Sequence, residues 1–149
     1  MNEHQQDEHR QNRHPQLATA GIIDDDEIYQ LVMKRTIEQS GMVKSVLQFY
    51  DGEEAIYYFK EQHKSTGVLP ELILLDLNMP YMNGWQFLDE FVKIKFKEEY
   101  KLTIFIVTSS STAEEIDRAK QYSIVSGYHI KPISKDTFAE MVQTVLRAA

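Results

Sequence analysis

Four short stretches of the chain carry residue types that could do chemistry together. Asp24-Asp25-Asp26-Glu27 sets four acids in a row, and Asp76 directly follows the apolar run Ile73-Leu74-Leu75. Thr108-Ser109-Ser110 closes another apolar run, and Lys131-Pro132 closes a further one. Taken singly, each has a plain explanation. The acidic run reads as a charged turn with Asp26 capping a helix. Asp76 reads as a carboxylate tied to backbone amides, since burying it without a partner costs several kcal/mol. Taken together, they offer three carboxylates (Asp24, Asp25 and Asp76), a hydroxyl and an ammonium. Converging carboxylates need a cation, and a hard divalent ion with oxygen ligands, Mg²⁺, is the natural occupant. Lys131 adds a second positive charge and Thr108 a donor. That set suits a phosphoryl group attacked by a carboxylate nucleophile. No Gly-rich phosphate loop is present, so a nucleotide is not the obvious ligand.

The elements that must position these residues are legible as apolar runs and helical stripes. The runs are Ala20–Ile23, Val46–Phe49, Leu72–Leu75, Thr103–Val107 and a weaker Ser126–Ile130. They are apolar on both alternations, as strands covered on both faces are. Helix-period stripes lie between them: Ile28, Leu31 and Val32; Ala55, Tyr58 and Phe59; Trp85, Leu88, Phe91 and Val92; and Phe138, Met141, Val142, Val145 and Leu146. Each stripe is read as core packing. Asp51-Gly52 and Asn83-Gly84 read as turns before helices. Ser111-x-x-Glu114 and Thr112-x-x-Glu115 both offer a capping box, and Ser134 an N-cap. Five strands alternating with five helices imply a doubly wound α/β fold, with a parallel sheet and helices on both faces. In such sheets chemistry lies outside the carboxyl ends of the strands. All the candidate residues follow strand ends.

Composition narrows the classes. At 149 residues one domain is expected, and a hydrophobic share of 42% suffices for a core. A formal charge of −7 with no Lys/Arg-rich run argues against direct DNA binding. No cysteine is present, which excludes thiolate metal sites and a Cys nucleophile and leaves the cytoplasm as the default location. No apolar run is long enough to span a membrane, and the polar N-terminus is no signal peptide. Residues 1–16 read as a polar, disordered tail. His4, His9 and His14 recur within it at a spacing that puts them on no common helix or strand face.

With these residues in order, the chain resembles the receiver domain of two-component response regulators. The resemblance rests on the acidic pair Asp24-Asp25, Leu74-Leu75-Asp76-Leu77-Asn78-Met79-Pro80 followed by Asn83-Gly84, Thr108-Ser109, and Gly127-Tyr128-His129-Ile130-Lys131-Pro132. It covers residues 17–149. It implies a flavodoxin-like sheet of order 2-1-3-4-5. It implies that Asp76 accepts a phosphoryl group from a histidine kinase or phosphotransfer protein. Mg²⁺ would be held by Asp25 directly, by Asp24 through water, by Asp76 and by the backbone carbonyl of Asn78. Thr108 and Lys131 would bind phosphoryl oxygens, Tyr128 would be the aromatic switch, and the bond before Pro132 would be cis. Asn78 and Ser110 occupy positions that tune the lifetime of the phosphorylated state. A homodimer through the last helices stays open.

Several features depart from a minimal receiver. The stretches around His63-Lys64-Ser65-Thr66-Gly67 and Phe91–Lys101 are extended, as in small stand-alone receivers. With nothing after Ala149 to form an output domain, output is expected to run through an unknown protein target. His129 stands where an apolar residue or Thr is commoner and reads as a peripheral strand residue. Two other classes compete. An aspartyl-phosphate phosphatase or phosphotransferase would carry an acid two residues after its nucleophile, where this chain has Asn78. A receiver-like module that binds partners without phosphorylation would not need Asp25, Asp76, Thr108 and Lys131 all intact.

Overall fold

Three apolar segments with no charged residue make the centre of a sheet, because only a strand covered on both faces can bury every side chain. They are β1 (Leu17–Ile23), β3 (Leu72–Leu75) and β4 (Thr103–Thr108), each almost wholly buried. The edge strands β2 (Val43–Phe49) and β5 (Val125–Ile130) keep several residues in contact with water. All pairings are parallel and the order is β2-β1-β3-β4-β5. This is the doubly wound order expected above. The structure is a computed structural model, and it describes residues 15–63, 68–109 and 111–148. Residues 1–14 with their three histidines, Lys64–Gly67 and Ser110 lie outside the described residues.

The connecting helices are α1 (Glu27–Ser40), α2 (Gly52–Gln62), α3 (Gly84–Phe91), α4 (Ala113–Ala119) and α5 (Lys135–Ala148). Side chains stop each one at its start. Asp26 accepts from the Ile28 and Tyr29 amides, Asp51 from Glu54, and Thr112 from Glu115. Ser134 Oγ accepts from the Thr137 amide at 3.1 Å. Of the two overlapping boxes at α4, Thr112 supplies the cap. Asn83 makes a full capping box with Gln86, both bonds at 2.9 Å. Two cores result, one on each face of the sheet. One stacks Phe49, Phe59, Phe87 and Phe91 with Trp85 under α2, α3 and α4. The other packs Ile22, Leu74, Met33, Phe138 and Met141 under α1 and α5. Phe59 contacts four other phenylalanine rings, so Phe59→Ala would cost about 3–5 kcal/mol.

One helical stripe is corrected. Ile28, Leu31 and Val32 do not pack into the core; they are 77%, 59% and 56% exposed. α1 instead buries Gln30, Met33 and Ile37, which share the opposite i, i+3, i+7 stripe. A polar residue holds the inward position because its amide satisfies carbonyls at the strand ends, so hydrogen bonding overrides hydrophobicity there. Val92, expected on the α3 stripe, caps the helix and is exposed.

Candidate functional site

The carboxyl ends of β1, β3, β4 and β5 bring the candidate residues to one edge of the sheet. Register pairs Ile23 with Leu75 and Leu75 with Ile106, so Asp24, Asp76 and Thr108 emerge close together. The backbone continues the pairing past the strands: Asp24 N–H donates to Phe49 O at 3.0 Å, Asp76 N–H to Ile23 O at 2.9 Å, and Lys131 N–H to Thr108 O at 2.8 Å. Asp24, Asp76 and Thr108 are 1%, 5% and 0% exposed, whereas Asp25 is exposed. The Lys131–Pro132 peptide is cis.

The loop after Asp76 is built to stay close to it. Gly84 N–H donates to Leu77 O at 3.0 Å. A Cβ on Gly84 would lie 2.6 Å from the Asp76 carbonyl oxygen and 2.8 Å from Leu77 Cα, so only glycine permits this approach. Tyr81 turns the loop with φ of 64°, in the left-handed region.

Inside the pocket the charges are unequally paired. Lys131 Nζ lies 2.6 Å from Asp24 Oδ2 and 3.7 Å from Asp76 Oδ2. It also stands 4.3 Å from the centroid of the Tyr29 ring, a cation–π contact. Asp24 Oδ1 accepts the Asp26 amide at 2.9 Å. Asp76 Oδ1 and Thr108 Oγ1 are buried with no hydrogen-bond partner among the described residues. Burial, reinforced by the Asp24 charge, pushes the Asp76 carboxyl up to about 6, against the pull of Lys131 and the Asn78 amide. Burial also raises Asp24, with Lys131 opposing.

The donor set fits a small hard cation. Carboxylate oxygens of Asp24, Asp25 and Asp76 all lie within 4.8 Å of one another. An octahedral Mg²⁺ with oxygens at about 2.0–2.1 Å spans about 4 Å between opposite ligands, so little contraction is needed. The orphaned Asp76 Oδ1 is the kind of buried acceptor that a cation would satisfy.

Tyr128 ends the constellation. It is half-buried, and its hydroxyl donates to Glu115 Oε2 on α4 at 2.7 Å. Burial first, then this bond, raises its phenol. His129 is half-buried beside Phe105, and burial lowers its imidazole.

Sequence reasoning missed three residues. Gln30 is buried and its Nε2 donates to the carbonyls of Phe49 at 2.8 Å, Asp24 at 3.0 Å and Ile22 at 3.2 Å. Its own Oε1 accepts from Gln48 Nε2 at 3.0 Å. Tyr29 supplies the ring against Lys131. Glu115 holds Tyr128. A polar residue in register with Met33 and Ile37 was the available signal for Gln30. Nothing local in the sequence marked the other two.

This fold and this acidic edge match those of a phosphoacceptor signalling domain. The chain belongs to the response regulator receiver domain family, which residues 21–143 match. Among curated relatives, the probable methanogenesis regulatory protein FilR2 of Methanothrix harundinacea is 25% identical over 124 residues, covering 83% of this chain and 78% of that protein. The probable transcriptional regulator ycf27 of Porphyridium aerugineum is 28% identical over 127 residues, 85% of this chain and 47% of that protein. A two-component response regulator from Cytophaga hutchinsonii superposes with a TM-score of 0.81 at 24% identity, over 89% of this chain and 98% of that one. A response regulator receiver protein from Dyadobacter fermentans gives 0.73 at 22%, over 87% and 98%. These two structures share the fold. Receiver domains bind Mg²⁺ at an acidic pocket and exchange phosphoryl groups with histidine kinases or phosphotransfer proteins. Among the described residues no helix is long and apolar enough to cross a membrane.

Proposed function

We propose that this chain is a phosphorylation-switched receiver in which Asp76 takes a phosphoryl group from a phosphohistidine. An Asp76 carboxylate oxygen attacks phosphorus while the P–N bond breaks; its electron pair leaves with the imidazole, which takes a proton from water. Mg²⁺, held by Asp24, Asp25, Asp76 and the Asn78 carbonyl, would neutralise charge on the transferring oxygens. Lys131 would leave Asp24 to pair with one phosphoryl oxygen, and Thr108 would donate to another. Such contacts exist only once the group is present, which is how a modification biases a two-state equilibrium. Tyr128 would follow Thr108 inward and change the surface offered to a protein target.

The observation that carries this reading is Asp76 itself. It is buried at a strand end, has one unpartnered oxygen, and shares its pocket with two further carboxylates, a lysine and an unpartnered hydroxyl. The receiver reading gives each of these groups a role. The reading includes a cytoplasmic location, since a sensor kinase draws its phosphoryl group from cytoplasmic ATP. The exposed apolar face of Ile28, Leu31 and Val32 begins one turn from the acidic loop and supports docking of a protein donor there.

Incubation with Mg²⁺ and acetyl phosphate should add one phosphoryl group, labile to hydroxylamine and absent in Asp76→Asn. Labelling that survives this substitution would assign the acceptor elsewhere.

A further inference from the structure

Apart from Asp24 Oδ2, which faces the Lys131 ammonium, the buried polar side-chain atoms without a hydrogen-bond partner among the described residues are Asp76 Oδ1, Thr108 Oγ1 and the hydroxyl of Tyr29. An orphaned buried hydroxyl costs about 1–3 kcal/mol, so a native fold that keeps one calls for a reason. For Asp76 and Thr108 the reason is the phosphoryl group. Tyr29 lies against the same space. Its ring carries the Lys131 ammonium at 4.3 Å, and that ammonium lies 2.6 Å from Asp24 and 3.7 Å from Asp76. Tyr29 belongs to the first turn of α1, whose start abuts Asp24–Asp26. Side chains on a helix lean toward its N-terminus, so the phenol is carried toward the acidic loop rather than away from it. The ring also packs on the core under α1 and α5.

We infer that the Tyr29 hydroxyl is a further phosphoryl ligand: it donates a hydrogen bond to an oxygen of the group carried by Asp76. This rests on the receiver reading above. A phenol suits the task because it offers a donor without adding charge. Burial and the nearby charges of Asp24 and Asp76 keep it protonated in the resting state. Thr108 and Tyr29 would then grip different oxygens, and the hydroxyl that is unsatisfied at rest becomes satisfied on phosphorylation. The inference adds a residue of α1 to a site otherwise built from strand ends.

Tyr29→Phe is the discriminating variant. It keeps the ring, its packing and the cation–π contact, and removes only the oxygen. Calorimetric titration with beryllofluoride in saturating Mg²⁺, the fluoride complex standing in for the phosphoryl group, should show affinity reduced about fivefold, the value of one hydrogen bond near 1 kcal/mol. Loss of the phosphoryl group from acetyl-phosphate-labelled protein should be altered in the same variant. The Mg²⁺ affinity measured without beryllofluoride should be unchanged. Equal beryllofluoride affinities in the two proteins would overturn the inference and leave the receiver reading intact. A Mg²⁺ affinity that falls as much as the beryllofluoride affinity would also overturn it, since the hydroxyl would then act on the cation pocket. Wild-type protein that binds no beryllofluoride would remove both readings. Tyr29→Leu, which also removes the ring from Lys131, should lose at least as much as Tyr29→Phe; a smaller loss would overturn the assignment to the hydroxyl.

Discussion

The Lys131 ammonium lies nearer to Asp24, at 2.6 Å, than to Asp76, at 3.7 Å. In the resting protein, therefore, the lysine neutralises a carboxylate of the proposed cation pocket, and the residue proposed as acceptor is left under-neutralised. On the proposed reading, lysine and divalent cation compete for Asp24. Unit charges about 4 Å apart interact with about 4 kcal/mol at an effective dielectric of 20, and only part of this appears after rearrangement. Lys131→Met should bind Mg²⁺ roughly tenfold more tightly, about 1.4 kcal/mol, in a calorimetric titration. It should also lose phosphorylation from acetyl phosphate. Unchanged or weakened Mg²⁺ binding would mean that the ammonium and the cation do not share Asp24.

Asp76 makes stability depend on pH in the unusual direction. Its carboxyl is raised to about 6 in the fold, above about 3.9 in an unfolded chain. The folded state thus holds its proton more tightly than the unfolded state. The resulting stabilisation is full below about pH 4 and is lost as pH rises through about 6. Above that, the buried charge is a burden. Asp76→Asn should raise the melting temperature of the metal-free protein at pH 7.5 by about 5 °C, corresponding to on the order of 1–2 kcal/mol, with little effect at pH 4. Added Mg²⁺ should narrow the gap by stabilising the wild type. Acetyl-phosphate labelling, run with Mg²⁺, should fall only at a lower pH than this, because the cation favours the carboxylate and the protonated carboxyl is a poor nucleophile.

Much of this was legible in the sequence, for a physical reason. β1, β3 and β4 are buried on both faces, so their apolar runs are unbroken and their ends mark Asp24, Asp76 and Thr108 without ambiguity. The caps at Asp26, Asp51, Asn83 and Thr112 are short-range and also readable. α1 was not, because two stripes compete on it. Ile28, Leu31 and Val32 are the more apolar, yet the fold turns Gln30 inward because its amide reaches three strand-end carbonyls. That advantage depends on β2 being beside β1, which no local window contains. The contacts Tyr29–Lys131 and Glu115–Tyr128 join residues of different elements and are invisible to spacing for the same reason.

Gln30 ties the acidic loop to the sheet. Its amide bonds the Asp24 carbonyl together with those of Ile22 and Phe49. Gln30→Leu keeps the volume and strands these acceptors. Urea unfolding should show a loss of about 1–3 kcal/mol, with the slope unchanged. Mg²⁺ affinity should fall as well, because the backbone that carries Asp24 and Asp25 is freed. A stable variant with native Mg²⁺ affinity would show that the clamp positions nothing.

The outward apolar face of α1 separates two kinds of donor. A small acyl phosphate needs only the pocket, whereas a protein donor must dock around it. Leu31→Lys changes a side chain that touches no core, so stability should move by less than about 0.5 kcal/mol. Labelling by acetyl phosphate should be unchanged. Transfer from a cognate phosphohistidine protein should slow at least tenfold, the loss expected when a charge enters an apolar contact. Equal slowing with both donors would place the effect in the pocket instead.

Glu115 accepts from Tyr128 at 2.7 Å and so ties the proposed switch residue to α4 in the unphosphorylated protein. If inward movement of Tyr128 accompanies phosphoryl binding, this bond must break first, and its strength is subtracted from the affinity for the group. Linkage makes the relation reciprocal: whatever weakens the tether strengthens binding by the same factor. A hydrogen bond to a charged acceptor is worth about 1.5–3 kcal/mol net, part of which solvent returns at this half-buried position. Glu115→Ala should therefore raise beryllofluoride affinity about fivefold in the presence of Mg²⁺. Thr108→Ala in the same background should abolish that gain if, as proposed, the threonine couples the group to the tyrosine. An affinity unchanged by Glu115→Ala would show that Tyr128 keeps its contact with α4 in both states.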